Sequence, residues 1–117
     1  MNIIVAGCGK VGGAIAEELV SENHDIVIVD TNAERLEHIG ITLDVMCING
    51  DAASVSVLEE AGADKCDLLI AITQSDEVNL LSCLIAKKWV LKTQLHAFAI
   101  IYIPMPYLLL KMIWALV

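Results

Sequence analysis

Short apolar runs alternate with amphipathic stretches along the first 88 residues. The runs are brief and rich in β-branched residues, as in strands buried on both faces of a parallel sheet; they lie at 2–6, 25–29, 44–49 and 67–72. The stretches between and after them place apolar residues at helical spacing, at 10–22, 31–40, 54–61 and 76–88. Four such units predict an α/β fold, a doubly wound Rossmann-like parallel sheet with right-handed crossovers.

Local signals predict where some of these helices begin and end. Thr31-Asn32-Ala33-Glu34 has the spacing of a capping box, and Gly40 is a suitable helix stop. The helix at 76–88 is apolar on more than one face. We therefore expect it to pack on the sheet and on a second partner, either another helix of this chain or another subunit.

The pattern changes after Lys88. Residues 89–117 contain two lysines and no acidic residue, and residues 93–110 carry no charge. Pro104 and Pro106 interrupt this run, so we expect a fifth strand within 95–103 rather than a membrane-spanning helix. We divide the chain into a domain at 1–88 and an atypical apolar tail at 89–117, with a sheet that is incomplete after the fourth βα unit.

Charge and cysteine content narrow the class of protein. The chain has fifteen acidic and seven basic side chains, and all the acids lie in residues 1–88. So acidic a body disfavours binding to nucleic acid. The four cysteines are widely spaced and form no CxxC pair, which indicates reduced, buried thiols. We expect Cys8, between two glycines, to be the more exposed one.

A glycine-rich motif, Gly7-Cys8-Gly9-Lys10-Val11-Gly12, lies between the first predicted strand and the first predicted helix. In this context GxGxxG is a dinucleotide-binding fingerprint, because each glycine has a separate task. Gly7 permits the tight turn, Gly9 lets the backbone approach a pyrophosphate, and Gly12 lets the helix pack on the strand. The helix N-terminus favours the phosphates, and Asp30 can accept hydrogen bonds from the adenosine ribose.

Three motifs in order resemble a known family. They are IIVAGCGKVGGAIAEELVSENHDIVIVD, INGDA at 48–52 and DLLIAITQSDEVNLLSCLIAKK at 67–88. Together they resemble the RCK or KTN domain, the amino-terminal nucleotide-binding domain of Trk-type potassium-uptake regulatory subunits. The resemblance implies a Rossmann fold that binds NAD(H), or alternatively ATP or ADP. It also implies a homo-oligomer on the cytoplasmic face of a potassium-translocating membrane subunit, which it gates without catalysis.

The resemblance also implies roles for individual residues. It assigns Gly7, Gly9 and Gly12 to the phosphate loop, Asp30 to the adenosine ribose, Gly50 and Asp51 to the adenine side, and Thr73 and Gln74 to the far half of a dinucleotide. The other residues that we predict to bind the cofactor are Cys8, Lys10, Val11, Thr31 and Ala52. Lys10 would reach the terminal phosphates of ATP; a solvated cation is the other explanation. A turn-forming aspartate explains Asp51 as well as an adenine contact does.

Two other classes of function compete with regulation. The first is the cofactor domain of an NAD-dependent oxidoreductase, but no histidine is placed for acid–base chemistry. The second is a truncated or frameshifted domain without function, because the family pattern is lost from residue 89. We expect a non-enzyme with no catalytic residue and no metal.

Overall fold

The computed structural model describes residues 1–93 and 98–101. Its strands are β1 Asn2–Ala6, β2 Asp25–Asp30, β3 Met46–Asn49, β4 Leu68–Ala71 and β5 Phe98–Ile101. Its helices are α1 Lys10–Ser21, α2 Ala33–Thr42, α3 Val55–Glu60 and α4 Asp76–Thr93. The strict alternation of strand and helix follows the hydrophobic pattern of the sequence.

The described strands form one parallel sheet in the order β3-β2-β1-β4-β5. β1 lies in the middle, where Val5 is in register with Ile28 on one side and with Ile70 on the other. Because the chain turns outward in opposite directions from β1, the strand order reverses between β1 and β4. In sheets of this kind, ligands bind at the carboxyl ends of the strands beside such a reversal.

The hydrophobic core has two layers, one on each face of the sheet. On one face, α1 and α2 cover side chains that include Ile3, Val5 and Ile28. On the other face, α3 and α4 cover Ile4 and Leu69. Successive residues of a strand point to opposite faces, so the uninterrupted apolar runs are needed to fill both layers. The predicted α/β, doubly wound fold is confirmed.

Several predicted boundaries differ from the structure by one or two residues, and the end of α4 differs by more. The side chain of Asn32 caps α2 by accepting a hydrogen bond from the backbone N–H of Arg35, so Asn32 and not Thr31 is the N-cap. α2 continues past Gly40 to Thr42. α4 does not end near Lys88 but continues to Thr93.

The segment after α4 contains the strand that the sequence predicted. β5 lies inside the expected range and pairs with β4 in parallel, with Leu68 opposite Phe98. Residues 105–117, to which we assigned no predicted element, lie outside the described residues, as does Pro104. Within residues 1–93 and 98–101, no helix is both long and apolar enough to cross a membrane. The division of the chain at Lys88 stays a prediction.

Candidate functional site

The turn from β1 into α1 begins with a glycine that no other residue could replace without strain. Gly7 has φ +108°, and a Cβ atom there would lie 2.8 Å from the carbonyl oxygen of Ile72. Its backbone N–H donates to the carbonyl of Val29 at 2.8 Å, which ties the turn to β2. The turn is therefore fixed between the ends of β2 and β4.

The other two glycines of the motif differ in what constrains them. A Cβ atom on Gly12 would overlap the carbonyl oxygen of Gly7, so α1 can lie this close to β1 only with glycine at position 12. A Cβ atom on Gly9 would have only the guanidinium Nη1 of Arg35 nearby, at 3.8 Å. The protein's own packing does not demand glycine at position 9. The bare backbone there leaves room for another molecule to approach.

Asp30 lies at the carboxyl end of β2, beside this turn. Its Oδ2 accepts a hydrogen bond from the backbone N–H of Cys8 at 2.8 Å, and its Oδ1 accepts one from that of Asn32 at 2.7 Å. Partial burial raises the pKa of this carboxyl, but those N–H groups, the Cys8 thiol and the charge of Arg35 outweigh it and lower the pKa below its usual value. Asp30 is therefore a firmly ionised group at neutral pH.

Cys8 is not the exposed thiol that its glycine neighbours led us to expect. It is only 8% exposed. Burial, the hydrogen bond to Asp30 and the charge of that carboxylate together raise the pKa of its thiol to about 12. Since a neutral thiol is a poor nucleophile, Cys8 belongs to the support of the turn rather than to any covalent chemistry.

A cleft of about 270 Å³ opens at the carboxyl ends of the strands, over the reversal of strand order. Its walls include nine of the residues predicted to bind the cofactor: Gly7, Gly9, Asp30, Thr31, Gly50, Asp51, Ala52, Thr73 and Gln74. The volume is just below the range of about 300–1,000 Å³ that is usual for ligand pockets. The cleft therefore fits part of a dinucleotide within its walls.

Four predicted residues lie elsewhere. Cys8 and Lys10 line a wider groove of about 650 Å³ between α1 and α2, next to the cleft. Val11 is exposed and Gly12 is buried against Gly7. Gly12 thus packs against the loop without lining the cleft, and the structure does not bring Val11 to the cleft.

The wall contributed by the loop after β3 combines a tight packing contact with a turn. A Cβ atom on Gly50 would lie 2.8 Å from Cγ2 of Val57, so α3 packs directly on this glycine. The Oδ1 of Asp51 accepts a hydrogen bond from the backbone N–H of Ala53 at 2.9 Å. This bond forms the turn that we gave, beside an adenine contact, as an explanation for Asp51. The side chain is also exposed in the cleft wall.

The sequence analysis missed Asn79, which holds the opposite wall of the cleft. Asn79 is completely buried in α4. Its Oδ1 accepts hydrogen bonds from the backbone N–H of Thr73 at 2.8 Å and from the Thr73 hydroxyl at 2.7 Å. A polar residue among the apolar residues of the helix at 76–88 was the signal that could have revealed it.

Arg35 is a second residue that the sequence analysis missed. It is exposed in the first turns of α2 and lines both the cleft and the α1–α2 groove. Its guanidinium lies near Gly9 and places a positive charge at the edge of the cleft. A cation here favours an anionic group above the glycine-rich loop.

The described residues do not combine in the cleft into a site for proton transfer or metal binding. His24 contacts the amino-terminal nitrogen and Glu22, and His38 lies in the α1–α2 groove. His96 lies outside the described residues. Over residues 1–93 and 98–101 there is no group of three or more potential metal ligands. The cleft combines the carboxylates of Asp30 and Asp51 with the polar side chains of Thr73 and Gln74 and lies beside the N-terminus of α1, which suits binding of a phosphate-linked ligand.

Comparison with known proteins identifies close relatives of this chain. A family model described as the TrkA-N domain matches residues 3–103, so the match continues beyond Lys88. The Trk system potassium uptake protein TrkA of Vibrio alginolyticus is 49% identical over 86 residues, which are 74% of this chain and 19% of that protein. The chain therefore spans about a fifth of the length of this relative.

Two solved structures share the fold. The structure titled GsuK channel bound to NAD has a TM-score of 0.73 and 22% identity, over 96% of this chain and 20% of that one. The Kef CTD of Shewanella denitrificans in AMP bound form has a TM-score of 0.65 and 21% identity, over 85% of this chain and 57% of that one. At these identities the likeness concerns the fold.

Proposed function

The chain belongs to the TrkA-N domain family, and on that premise we propose that it is a regulatory module that binds NAD(H) and controls a potassium-translocating membrane protein. The observation that carries the proposal is the open backbone at Gly9 beside the ionised carboxylate of Asp30. Within residues 1–93 and 98–101, no packing contact requires that opening, whereas a pyrophosphate needs it.

The cleft suggests one placement of the dinucleotide. The pyrophosphate would lie over Gly7–Gly12, where the N-terminus of α1 favours negative charge. The adenosine ribose would contact Asp30, and the adenine would lie along Gly50–Ala52. Thr73 and Gln74, on the far side of β1, would contact the remaining half. This placement uses both walls of the cleft.

ATP and ADP are the alternative ligands. Lys10 supports them, because it is exposed in the groove that continues from the cleft beyond Gly9. A terminal phosphate extending past Gly9 would meet the charges of Lys10 and Arg35. The second half of a dinucleotide would instead extend toward Thr73. The two ligand types would therefore use different ends of the site, at Lys10 and at Thr73.

The second candidate function is that of a cofactor domain from an oxidoreductase. The fold alone allows it, since dinucleotide-binding enzymes share it. Against it, the described walls of the cleft hold no histidine and no lysine to transfer a proton with a hydride. We therefore favour a ligand-gated, non-catalytic role.

Regulation of this kind requires a partner and two arrangements for the ligand to distinguish. We propose that the partner is a potassium-translocating membrane subunit and that the module assembles with further copies on the cytoplasmic face of the membrane. A stripe on α4 supports assembly: Leu81 and Leu84 are 47% and 41% exposed, with Glu77 before them and Lys88 after them on the same side of the helix. In an antiparallel pair of such helices, opposite charges would meet at both ends.

Isothermal titration calorimetry with NADH, NAD, ATP and ADP tests the proposal directly. We expect binding of NADH or NAD with a 1:1 stoichiometry per cleft. A chain that binds none of the four nucleotides at millimolar concentration would rule out the regulatory function. NADH oxidation that depends on an added substrate and disappears in Gly9→Val would favour the oxidoreductase instead.

A further inference from the structure

We propose that Asn79 is a positioning residue that fixes Thr73 and Gln74 for the second half of a bound dinucleotide. The inference rests on the function proposed above and concerns one wall of the same cleft. It assigns to a buried residue of α4 a part in ligand selection, although the residue itself does not line the cleft.

The side chain of Asn79 bonds to every polar group of Thr73. Its Oδ1 accepts from the Thr73 backbone N–H at 2.8 Å and from the Thr73 hydroxyl at 2.7 Å. Its Nδ2 donates to the Thr73 carbonyl oxygen at 3.1 Å. These three bonds determine the position of the residue that follows β4 and Ile72. An aliphatic side chain at position 79 could make none of them.

The same residue also holds the other end of this loop. The backbone N–H of Asn79 donates to the carbonyl oxygen of Ser75 at 3.0 Å. The backbone N–H of Ser75 in turn donates to the Thr73 hydroxyl at 3.2 Å. Gln74 therefore lies between Thr73, which bonds to the side chain of Asn79, and Ser75, which bonds to its backbone N–H. Its own side chain is exposed in the cleft wall, where a ligand can reach it.

The surroundings of Asn79 show that its amide has a specific task. Nearby buried positions of α4, Cys83 and Ala86, are small and apolar and belong to the core layer on this face. Burial of an amide in such a layer costs free energy unless its polar atoms are bonded, and here they bond to a loop of the cleft. The helix therefore uses a core position to hold the binding loop.

The effect on ligands should be selective because of the strand order. Asp30 ends β2 and Gly50–Ala52 follow β3, on one side of β1, whereas Thr73 and Gln74 lie after β4, on the other. ADP is the part of NADH that the first side would hold. Movement of the β4–α4 loop should weaken binding of NADH and leave binding of ADP nearly unchanged.

Calorimetry of full-length Asn79→Ala with NADH and ADP tests the inference. We expect NADH affinity to fall about tenfold, as for one or two misplaced hydrogen-bonding groups, and ADP affinity to change less than about twofold. Ser82→Ala is the matched control, because Ser82 is equally buried and its hydroxyl donates to the Asn79 carbonyl at 3.0 Å, not to the loop. It should leave the NADH to ADP affinity ratio unchanged.

A second variant covers the case in which Asn79→Ala does not fold. Thr73→Val removes one of the three bonds to Asn79, that of the hydroxyl, and should lower the NADH to ADP affinity ratio in the same direction by a smaller factor. If both single variants fold, the double variant should lose no more NADH affinity than Asn79→Ala, because the bond that Thr73→Val removes is one of the three that Asn79→Ala removes. If the NADH to ADP affinity ratio is unchanged in both variants, the role of Asn79 is overturned and the proposed function stands. A wild-type chain that binds neither nucleotide would overturn both.

Discussion

The carboxylate of Asp30 and the backbone N–H of Cys8 form a hydrogen bond of 2.8 Å that joins the end of β2 to the glycine-rich loop. The residue proposed to hold the ribose thus also holds the loop proposed to hold the phosphates. Each oxygen of Asp30 has one backbone partner and the Cys8 thiol is a third partner, which leaves acceptor capacity for a ribose hydroxyl. In the proposed placement, recognition of the sugar and the position of the phosphate loop would both depend on this side chain.

Substitutions at two glycines should separate folding from binding. Gly9→Val should retain the fold and abolish nucleotide binding, because a side chain there points into open space that the ligand needs. Gly12→Ala should destabilise the protein by about 1–3 kcal/mol or more, because its Cβ overlaps the Gly7 carbonyl oxygen. Thermal unfolding and calorimetry with NADH measure the two effects. A Gly9→Val chain that binds NADH normally would refute the placement of the pyrophosphate.

Asp30 should make the chain prefer NAD(H) over NADP(H). A 2′-phosphate about 4 Å from its carboxylate would be repelled by about 4 kcal/mol at an effective dielectric constant near 20, before solvent relaxation. Arg35, whose charge acts on Asp30, offsets part of that repulsion. We therefore expect at least about tenfold weaker binding of NADPH than of NADH in competition titrations. Arg35→Ala should widen the difference, and equal affinities would remove Asp30 from the ribose site.

The hydrogen bonds of Asp30 should make stability depend on pH in acid. Since the pKa of this carboxyl is lowered from 3.8 in the folded chain, its contribution is present above about pH 4 and is lost as the pH falls through the folded-state pKa. Asp30→Asn should thus be less stable than the wild type at pH 7 and approach it at low pH. Urea unfolding between pH 2 and pH 7 measures this; Glu60→Gln, which alters an exposed carboxylate of α3, serves as the control. A constant difference across that range would contradict the role of Asp30.

The four thiols should differ in reactivity. Burial raises the pKa of Cys66 to about 11 and of Cys8 and Cys83 to about 12. Cys47 is only half-buried, although burial raises its pKa as well. Iodoacetamide at pH 8, followed by peptide mass spectrometry, should label Cys47 first. In denaturant all four should react alike, and labelling of native Cys8 as fast as Cys47 would show that the glycine-rich loop opens.

The stripe on α4 should control association between copies. Replacing both Leu81 and Leu84 by Gln should shift sedimentation toward the monomer, because both side chains are apolar and exposed. Ile41→Gln is the control, since Ile41 is an exposed apolar residue on α2, away from this stripe. Unchanged sedimentation of the double variant would place the contact between copies elsewhere.

Most of the fold could be predicted because its signals are local and periodic. Buried parallel strands appear as apolar runs. The glycine motif lies between β1 and α1, and its spacing matches a turn from a strand into a helix. The errors came from competition between local signals. Gly40 looked like a helix stop, but Leu36 and Ile39 bury the same face of α2 and the helix continues to Thr42. Thr31 looked like a cap, but the carboxylate of Asp30 binds the N–H of Asn32 and the Asn32 side chain caps the helix instead.

The candidate site could be predicted only where residues follow directly after a strand. Arg35 and Asn79 lie inside helices; the tertiary fold brings Arg35 to the cleft and brings Asn79 to Thr73, a residue of its wall. Asn79 meets Thr73 six residues away in sequence through the packing of α4 on β4. The motif spacing contains no information on such contacts. The same limit explains Val11, which the motif included and the fold turns outward.

The central place of β1 has a consequence for hydrogen exchange in the native protein. Because β1 pairs with a strand on each side, its amides should exchange only when the whole domain unfolds. The glycine-rich loop extends directly from that strand and is the fixed side of the site. A ligand that binds only the folded chain should slow this global exchange in β1 as well, whereas slowed local exchange in the β4–α4 loop and the loop after β3 would report occupancy of the cleft residue by residue.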